Sequence, residues 1–190
     1  MRLYIIALVL ILISSCQNNK QRKYLFQEDL KYSAYCWHIT DSGPQFYLAH
    51  YLDLDKNGHY VGMRHITFLD EPKYFEGNLK DSVLQLINLL LDSSYKKSYD
   101  FKKPEVYDGF TYSLDYKKQT GENVSIKFIP EESPIRIKEL SMLLDSVIFL
   151  KTVNKIPAFS IDAYVSQLKK DTLIFPFLIH EIKFIPPIIK

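Results

Sequence analysis

The chain has 190 residues, of which 47% are hydrophobic and 24% charged, and its formal net charge is +2. An apolar share near the globular average excludes a disordered chain and a collagen-like repeat. Nearly cancelling charges exclude a strongly basic nucleic-acid binder.

Met1 and Arg2 make a short positive start, and the run from Leu3 to Ile13 is uninterrupted and apolar before Ser14, Ser15 and Cys16. A bilayer-spanning helix needs about 20 such residues, so this run is too short to span. Its length and small-residue exit are those of a secretory signal. The segment Ile13-Ser14-Ser15-Cys16 resembles the lipobox of bacterial lipoproteins, with isoleucine where leucine is commonest. The resemblance implies that residues 1–15 are a lipoprotein-type signal peptide, and that Cys16 carries the lipid and begins the mature chain. It covers the first 16 residues; the alternative is an ordinary cleaved signal with Cys16 incidental. Gln17 follows the cysteine where lipoproteins held in an inner membrane often have aspartate, so the expected place is the outer membrane, facing the periplasm. Acyl chains contribute roughly 0.8 kcal/mol per buried CH₂, which anchors a protein to a membrane without making it span.

Residues 16–23 then form the lipidated cysteine and a polar tether, with Lys20, Arg22 and Lys23 as its charges. Residues 24–190 are long enough for one core and short for two, which predicts a single domain. With Cys16 acylated, Cys36 is the remaining cysteine, so no disulfide forms within the mature chain.

Tyr35 to Thr40 is aromatic and β-branched and meets the turn residues Asp41-Ser42-Gly43-Pro44, which predicts a strand and a turn. Gln45 to Leu54 and His59 to Leu69 read as two longer strands around a four-residue turn, Asp55-Lys56-Asn57-Gly58, whose Asn-Gly tolerates positive φ. From Asn78 to Ser94 the period changes, because Leu79, Val83, Leu86, Ile87 and Leu90 recur at helical spacing. Phe110, Tyr112, Leu114 and Tyr116 alternate with polar residues, and Lys118 to Gly121 turn them into the alternating Val124, Ile126 and Phe128. Ser133 and Pro134 supply an N-cap and a first-turn proline for a second helix with Leu140, Leu143, Leu144, Val147 and Ile148 as its stripe. Ser160 to Lys170 suits a short helix. Leu173 to Ile189 is very apolar, and its prolines confine it to edge strands or extended segments.

The expected fold is therefore α+β, an antiparallel sheet from two hairpins with two helices packed on one face. Leu90 to Ser93 and Leu143 to Ser146 occupy similar places in the two helices. That correspondence reads either as a ββα duplication or as coincidence between leucine-rich helices.

Asp53, Asp55, Asn57 and Gly58 match the opening of a calcium-binding loop, but Arg64 stands where the bidentate glutamate is required. A hairpin turn is the better reading. His38, His50, His59 and His65 lie on neighbouring predicted strands, and the four-residue turn pairs Leu54 with His59 and His50 with Met63. His50 and His65 then become diagonal neighbours about 7–8 Å apart. A zinc site needs three or four convergent ligands, so the histidines read as rim residues beside Phe46, Leu48, Leu52, Val61 and Leu69, and no metal is assigned. The opposite face gathers Tyr47, Tyr51, Tyr60 and Phe68 beside Arg64. Aromatic and arginine side chains suit a binding surface; the competing reading is that the C-terminal segment covers them.

No nucleophile elbow, phosphate loop, HExxH, CxxC or dinucleotide fingerprint occurs, so no catalytic residue and no cofactor is assigned. In organisation the chain resembles small bacterial lipoproteins. The expected function is a lipid-anchored envelope protein, held to the membrane through Cys16, that works as a non-enzymatic binding module for an envelope protein and not for nucleic acid. The alternative is a small periplasmic hydrolase using unrecognised carboxylates or histidines around His38, His50 and His65.

Overall fold

Alternation along Phe26–Thr40, with Leu30 and Tyr32 on one side and Lys31 and Ser33 on the other, makes a long first strand, β1. The computed structural model describes residues 26–41, 43–67, 69–91, 109–150 and 153–170. The signal segment, Cys16, the tether and the apolar run 173–189 lie outside them. β2 (Gly43–Asp55), β3 (His59–Arg64) and β4 (Lys73–Asn78) follow β1 as an antiparallel meander. Helix α1 (Asp81–Leu90) then precedes β5 (Thr111–Lys118) and β6 (Asn123–Phe128). A 3₁₀ turn (Pro130–Glu132), α2 (Ile135–Ile148), the two-residue β7 (Asn154–Lys155) and α3 (Asp162–Lys169) complete the described chain.

The strands form one seven-stranded antiparallel sheet in the order β6-β5-β1-β2-β3-β4-β7. The protein is thus α+β and mostly sheet. The row Phe75, Gly62, Leu52, Tyr32, Leu114 and Ile126 crosses six strands on one face. On this face the sheet meets Leu84, Ile87 and Leu90 of α1 and Ile137, Leu140, Leu144, Val147 and Ile148 of α2, forming the principal core. A smaller core on the opposite face joins Tyr35, Leu48, Tyr51 and Met63 to Tyr164 and Leu168 of α3.

The helices are therefore not packed as expected, because α3 covers part of the other face. The first hairpin does not lead directly into α1 either: β4 intervenes, so a strict ββα duplication does not describe the chain. β4 escapes sequence reading because Lys73–Asn78 carries only Tyr74 and Phe75 as large apolar residues and ends in Gly77-Asn78. The predicted strand to Leu69 stops at Arg64, since Asp70 closes a turn by accepting the Thr67 N–H at Oδ2, 3.1 Å away. Ser133 does not cap α2. Its hydroxyl donates back to the Ile129 carbonyl at 2.7 Å, and Pro134 takes the N-cap position. Among the described residues no helix is long and apolar enough to cross a membrane.

Gly62 is set by packing and not by φ. A Cβ there would lie 2.5 Å from Phe75 Cζ and 2.8 Å from the Tyr51 carbonyl oxygen, in the middle of the principal core. Gly62→Ala should lower unfolding stability by about 1–3 kcal/mol through overpacking, measured by urea denaturation.

Candidate functional site

The position of every candidate residue follows from two local features of β2. At its C-terminal end, Gly58 N–H donates to the Asp55 carbonyl at 3.1 Å. Asp55 Oδ1 also accepts the backbone N–H groups of Asn57 at 2.8 Å and His59 at 2.9 Å. Gly58 takes φ +91°, a value that glycine adopts without strain. The loop is therefore Lys56-Asn57-Gly58, one residue shorter than expected, and the pairs become Leu54 with Tyr60 and His50 with Arg64. The second feature lies upstream, where Ala34 pairs with His50 and Tyr35 with Leu48, so Ala49 is an extra residue in β2. Beyond this bulge the alternation changes sides.

The bulge and the shorter loop regroup the predicted residues. His50, Leu52, Leu54, Tyr60 and Arg64 lie on the face of α1 and α2, whereas Leu48, Tyr51 and Met63 lie on the face of α3. Tyr47 moves to the His50 side, where its ring lies 6.3 Å from Phe110 and 5.1 Å from His65. His59 is away from this group, 3.8 Å from Glu76. The side chains of His38 and Phe68 fall outside the described residues. Tyr47, Tyr51, Tyr60 and Arg64 therefore do not share one face. Tyr60 is buried in the principal core, and Tyr51 is buried under α3 with its hydroxyl donating to Asp53 Oδ2 at 2.9 Å. Burial raises the Asp53 carboxyl, with the Tyr51 hydrogen bond and the Lys31 charge pulling the other way.

What the fold does bring together is an aromatic cluster at the end of the sheet where α2 stops. Phe149, about half exposed, stands edge-on to His50 with ring centres 5.7 Å apart. Tyr112 is 5.9 Å from the His50 ring and Tyr32 is 5.6 Å from it, and these two rings are themselves 5.9 Å apart. Arg64 supports the cluster from β3. Its Nη1 donates to the Ile148 carbonyl and, at 3.2 Å, to the Leu150 carbonyl. Its guanidinium also lies over Phe75 at 5.4 Å and Phe149 at 5.8 Å. A cation that satisfies carbonyls at the end of α2 also complements the negative end of the helix dipole.

Beneath the rings lies a part-buried polar contact. Tyr32 donates its hydroxyl to Asp145 Oδ1 at 2.9 Å, and His50 Nε2 sits 3.3 Å from the same oxygen without the alignment of a hydrogen bond. Burial, followed by the Asp145 charge, holds the Tyr32 hydroxyl well above the usual tyrosine range. It remains a donor across the working pH range. His50 is only 4% exposed, so the pair is a floor for the cluster more than a group open to substrate.

Sequence reading identified Tyr47, His50 and Arg64 but missed Tyr32, Asp145 and Phe149 as their partners. Asp145 did carry a signal, since it lies one helical turn after the buried Ser141 and next to the buried Leu144. A carboxylate at the margin of an apolar helical stripe calls for an inward donor. Among the described residues no three His, Cys, Asp or Glu side chains converge as metal ligands would.

Comparison with protein-family models finds no match, and neither does comparison with curated proteins. Tyr32→Phe should cost about 1.5–3 kcal/mol of unfolding stability, the range for a hydrogen bond to a charged group, as read from urea denaturation.

Proposed function

We propose that the protein is a lipid-anchored envelope protein whose sheet domain is a non-enzymatic binding module, with the aromatic cluster at the end of α2 as its contact surface. The observation that carries this reading is the separation of attachment from contact surface. The lipobox-like segment and tether lead towards Phe26, the first residue of β1. The exposed Phe149 lies further along the sheet, edge-on to His50, which pairs with Ala34 of β1. The exposed Ile66 and Leu69 flank the turn whose Thr67 carbonyl accepts the Tyr47 hydroxyl beside Cys36. Ala34 lies eight residues along β1 from Phe26, roughly 25 Å at about 3.3 Å per residue, so the contact surface stands away from the point of attachment. Exposed aromatic and aliphatic residues around a fixed arginine are the chemistry of a protein-binding patch.

The hydrolase reading would need His50 to move a proton to or from substrate. His50 is sealed by the rings of Tyr32, Tyr112 and Phe149, and the near oxygen of Asp145 already accepts the Tyr32 proton. A locked contact of this kind favours packing over turnover.

Two measurements test the proposal separately. Cys16→Ala should release the protein from the membrane fraction and abolish incorporation of labelled lipid; unchanged pelleting with label retained would refute the anchor. Crosslinking in the native envelope, followed by affinity recovery, should yield a stoichiometric protein partner with the unaltered chain. Phe149→Ala with Leu150→Ser should lose that partner without unfolding. Equal recovery by the doubly substituted chain would refute the contact surface.

A further inference from the structure

The second core joins the sheet to a short C-terminal helix across a seam that mixes apolar and polar contacts. Tyr164 and Leu168, one turn apart on α3, are the buried residues of the helix, and with the partly buried Phe159, Ile161 and Val165 they pack on the sheet face of Leu48, Tyr51 and Met63. The rings of Tyr51 and Tyr164 are 4.9 Å apart. At the centre of the seam the Tyr164 hydroxyl lies 3.1 Å from Ser33 Oγ and donates to Asp115 Oδ2 at 3.0 Å. Ser113 donates to the same carboxylate oxygen at 2.8 Å.

Beside this network is a buried group left unpaired. Tyr35 is fully buried in the same small core, and its hydroxyl has no hydrogen-bond partner among the described residues. An unsatisfied buried hydroxyl opposes the closed state, because lifting α3 would return it to water. Ser33, Ser113 and Asp115 can likewise exchange the Tyr164 hydroxyl for water. The principal core is on the other face of the sheet, so it keeps all its contacts when α3 lifts.

We propose that α3 is a strap that opens as a unit while the sheet stays folded, uncovering an aromatic platform of Tyr35, Leu48, Tyr51 and Met63. The occupant of the platform is α3 of the same chain. Ile156 N–H donates to the Tyr74 carbonyl at 3.2 Å, which holds the chain to β4 up to that point. The residues just after it, which belong to no helix or strand, supply the hinge, and Phe159, whose ring is 5.2 Å from Tyr74, lifts with α3. This inference goes beyond the binding reading above; its measurement needs neither partner nor membrane, so the two succeed or fail separately.

Met63 reports on the platform directly. It is 3% exposed within the small core that α3 and the preceding Phe159 close, whereas Met142 on α2 is 63% exposed and serves as an internal reference. The full chain is treated with hydrogen peroxide, and sulfoxide at each methionine is followed by mass spectrometry alongside amide hydrogen exchange. Met63 should oxidise in step with exchange of the α3 amides and much faster than the β1 and β2 amides exchange. Tyr164→Phe should accelerate both events about tenfold to a hundredfold. Tyr35→Phe, which removes the unpaired hydroxyl, should slow both about fivefold or more. Met142 should be unaffected by either substitution. The strap is refuted if α3 and the central strands exchange at one common rate, if Tyr35→Phe accelerates Met63 oxidation, or if the Met63 rate depends on protein concentration, which would mean exchange of α3 between copies.

Discussion

The Asp55 carboxylate sets the frame for the rest of the molecule. By accepting the N–H groups of Asn57 and His59 it fixes a three-residue loop, and that loop fixes which β3 residue lies opposite each β2 residue. In a sheet with two covered faces, a slip of one residue would send the apolar set to the wrong side. With the observed register Tyr60 enters the principal core, Met63 enters the small one, and Gly62 falls where Phe75 needs space. The bulge at Ala49 makes the complementary adjustment upstream. It allows one continuous strand to give Leu52 and Leu54 to one core and Leu48 to the other.

The two cores are unequal in kind as well as size. The principal core is mostly aliphatic and aromatic across α1, α2 and six strands, and its polar contact from the buried Tyr32 reaches the part-buried Asp145. Its burial scales with area and gives no residue a cheap way out. The small core is crossed by serine hydroxyls, an aspartate and an unpaired tyrosine hydroxyl, all of which water can serve. Stability is therefore distributed unevenly, and the element that closes the small core is the one that can part from the sheet while the other face remains intact.

Periodicity made the helices and the β5–β6 hairpin legible, and in α2 Leu140, Leu144 and Ile148 repeat as one buried stripe. In α1 the expected stripe is only partly right, because Ile87 and Leu90 are buried with Leu84, which that stripe omits, and Leu86 is exposed. The same rule failed in β2, where strict alternation assigns Leu48 and Leu52 to one face and an extra residue between them separates the two. No propensity marks Ala49 as that residue; the bulge exists because both faces of the sheet are covered. Arg64 was legible as a functional type but not as a partner, since the carbonyls it meets belong to α2, far away in sequence. Tyr51 looked like a surface aromatic for a similar reason. Its cover comes from α3, and pairing a helix with a sheet face is a tertiary choice that a local pattern does not encode.

The aromatic cluster at the end of α2 is suited to recognition because its exposed members are already held. Phe149 follows the last turn of α2, a place where a side chain would ordinarily sample several rotamers. Here its ring has His50 edge-on at 5.7 Å and the Arg64 guanidinium at 5.8 Å, while Arg64 is itself held by the Ile148 and Leu150 carbonyls. Ordering a free side chain on association costs roughly 0.5–1.5 kcal/mol, and a ring fixed in advance avoids much of that cost. The part-buried Tyr32–Asp145 contact extends the support inward, tying the last turns of α2 to the central strand β1. An apolar patch held rigid in this way suits association in which affinity comes from preorganisation more than from area.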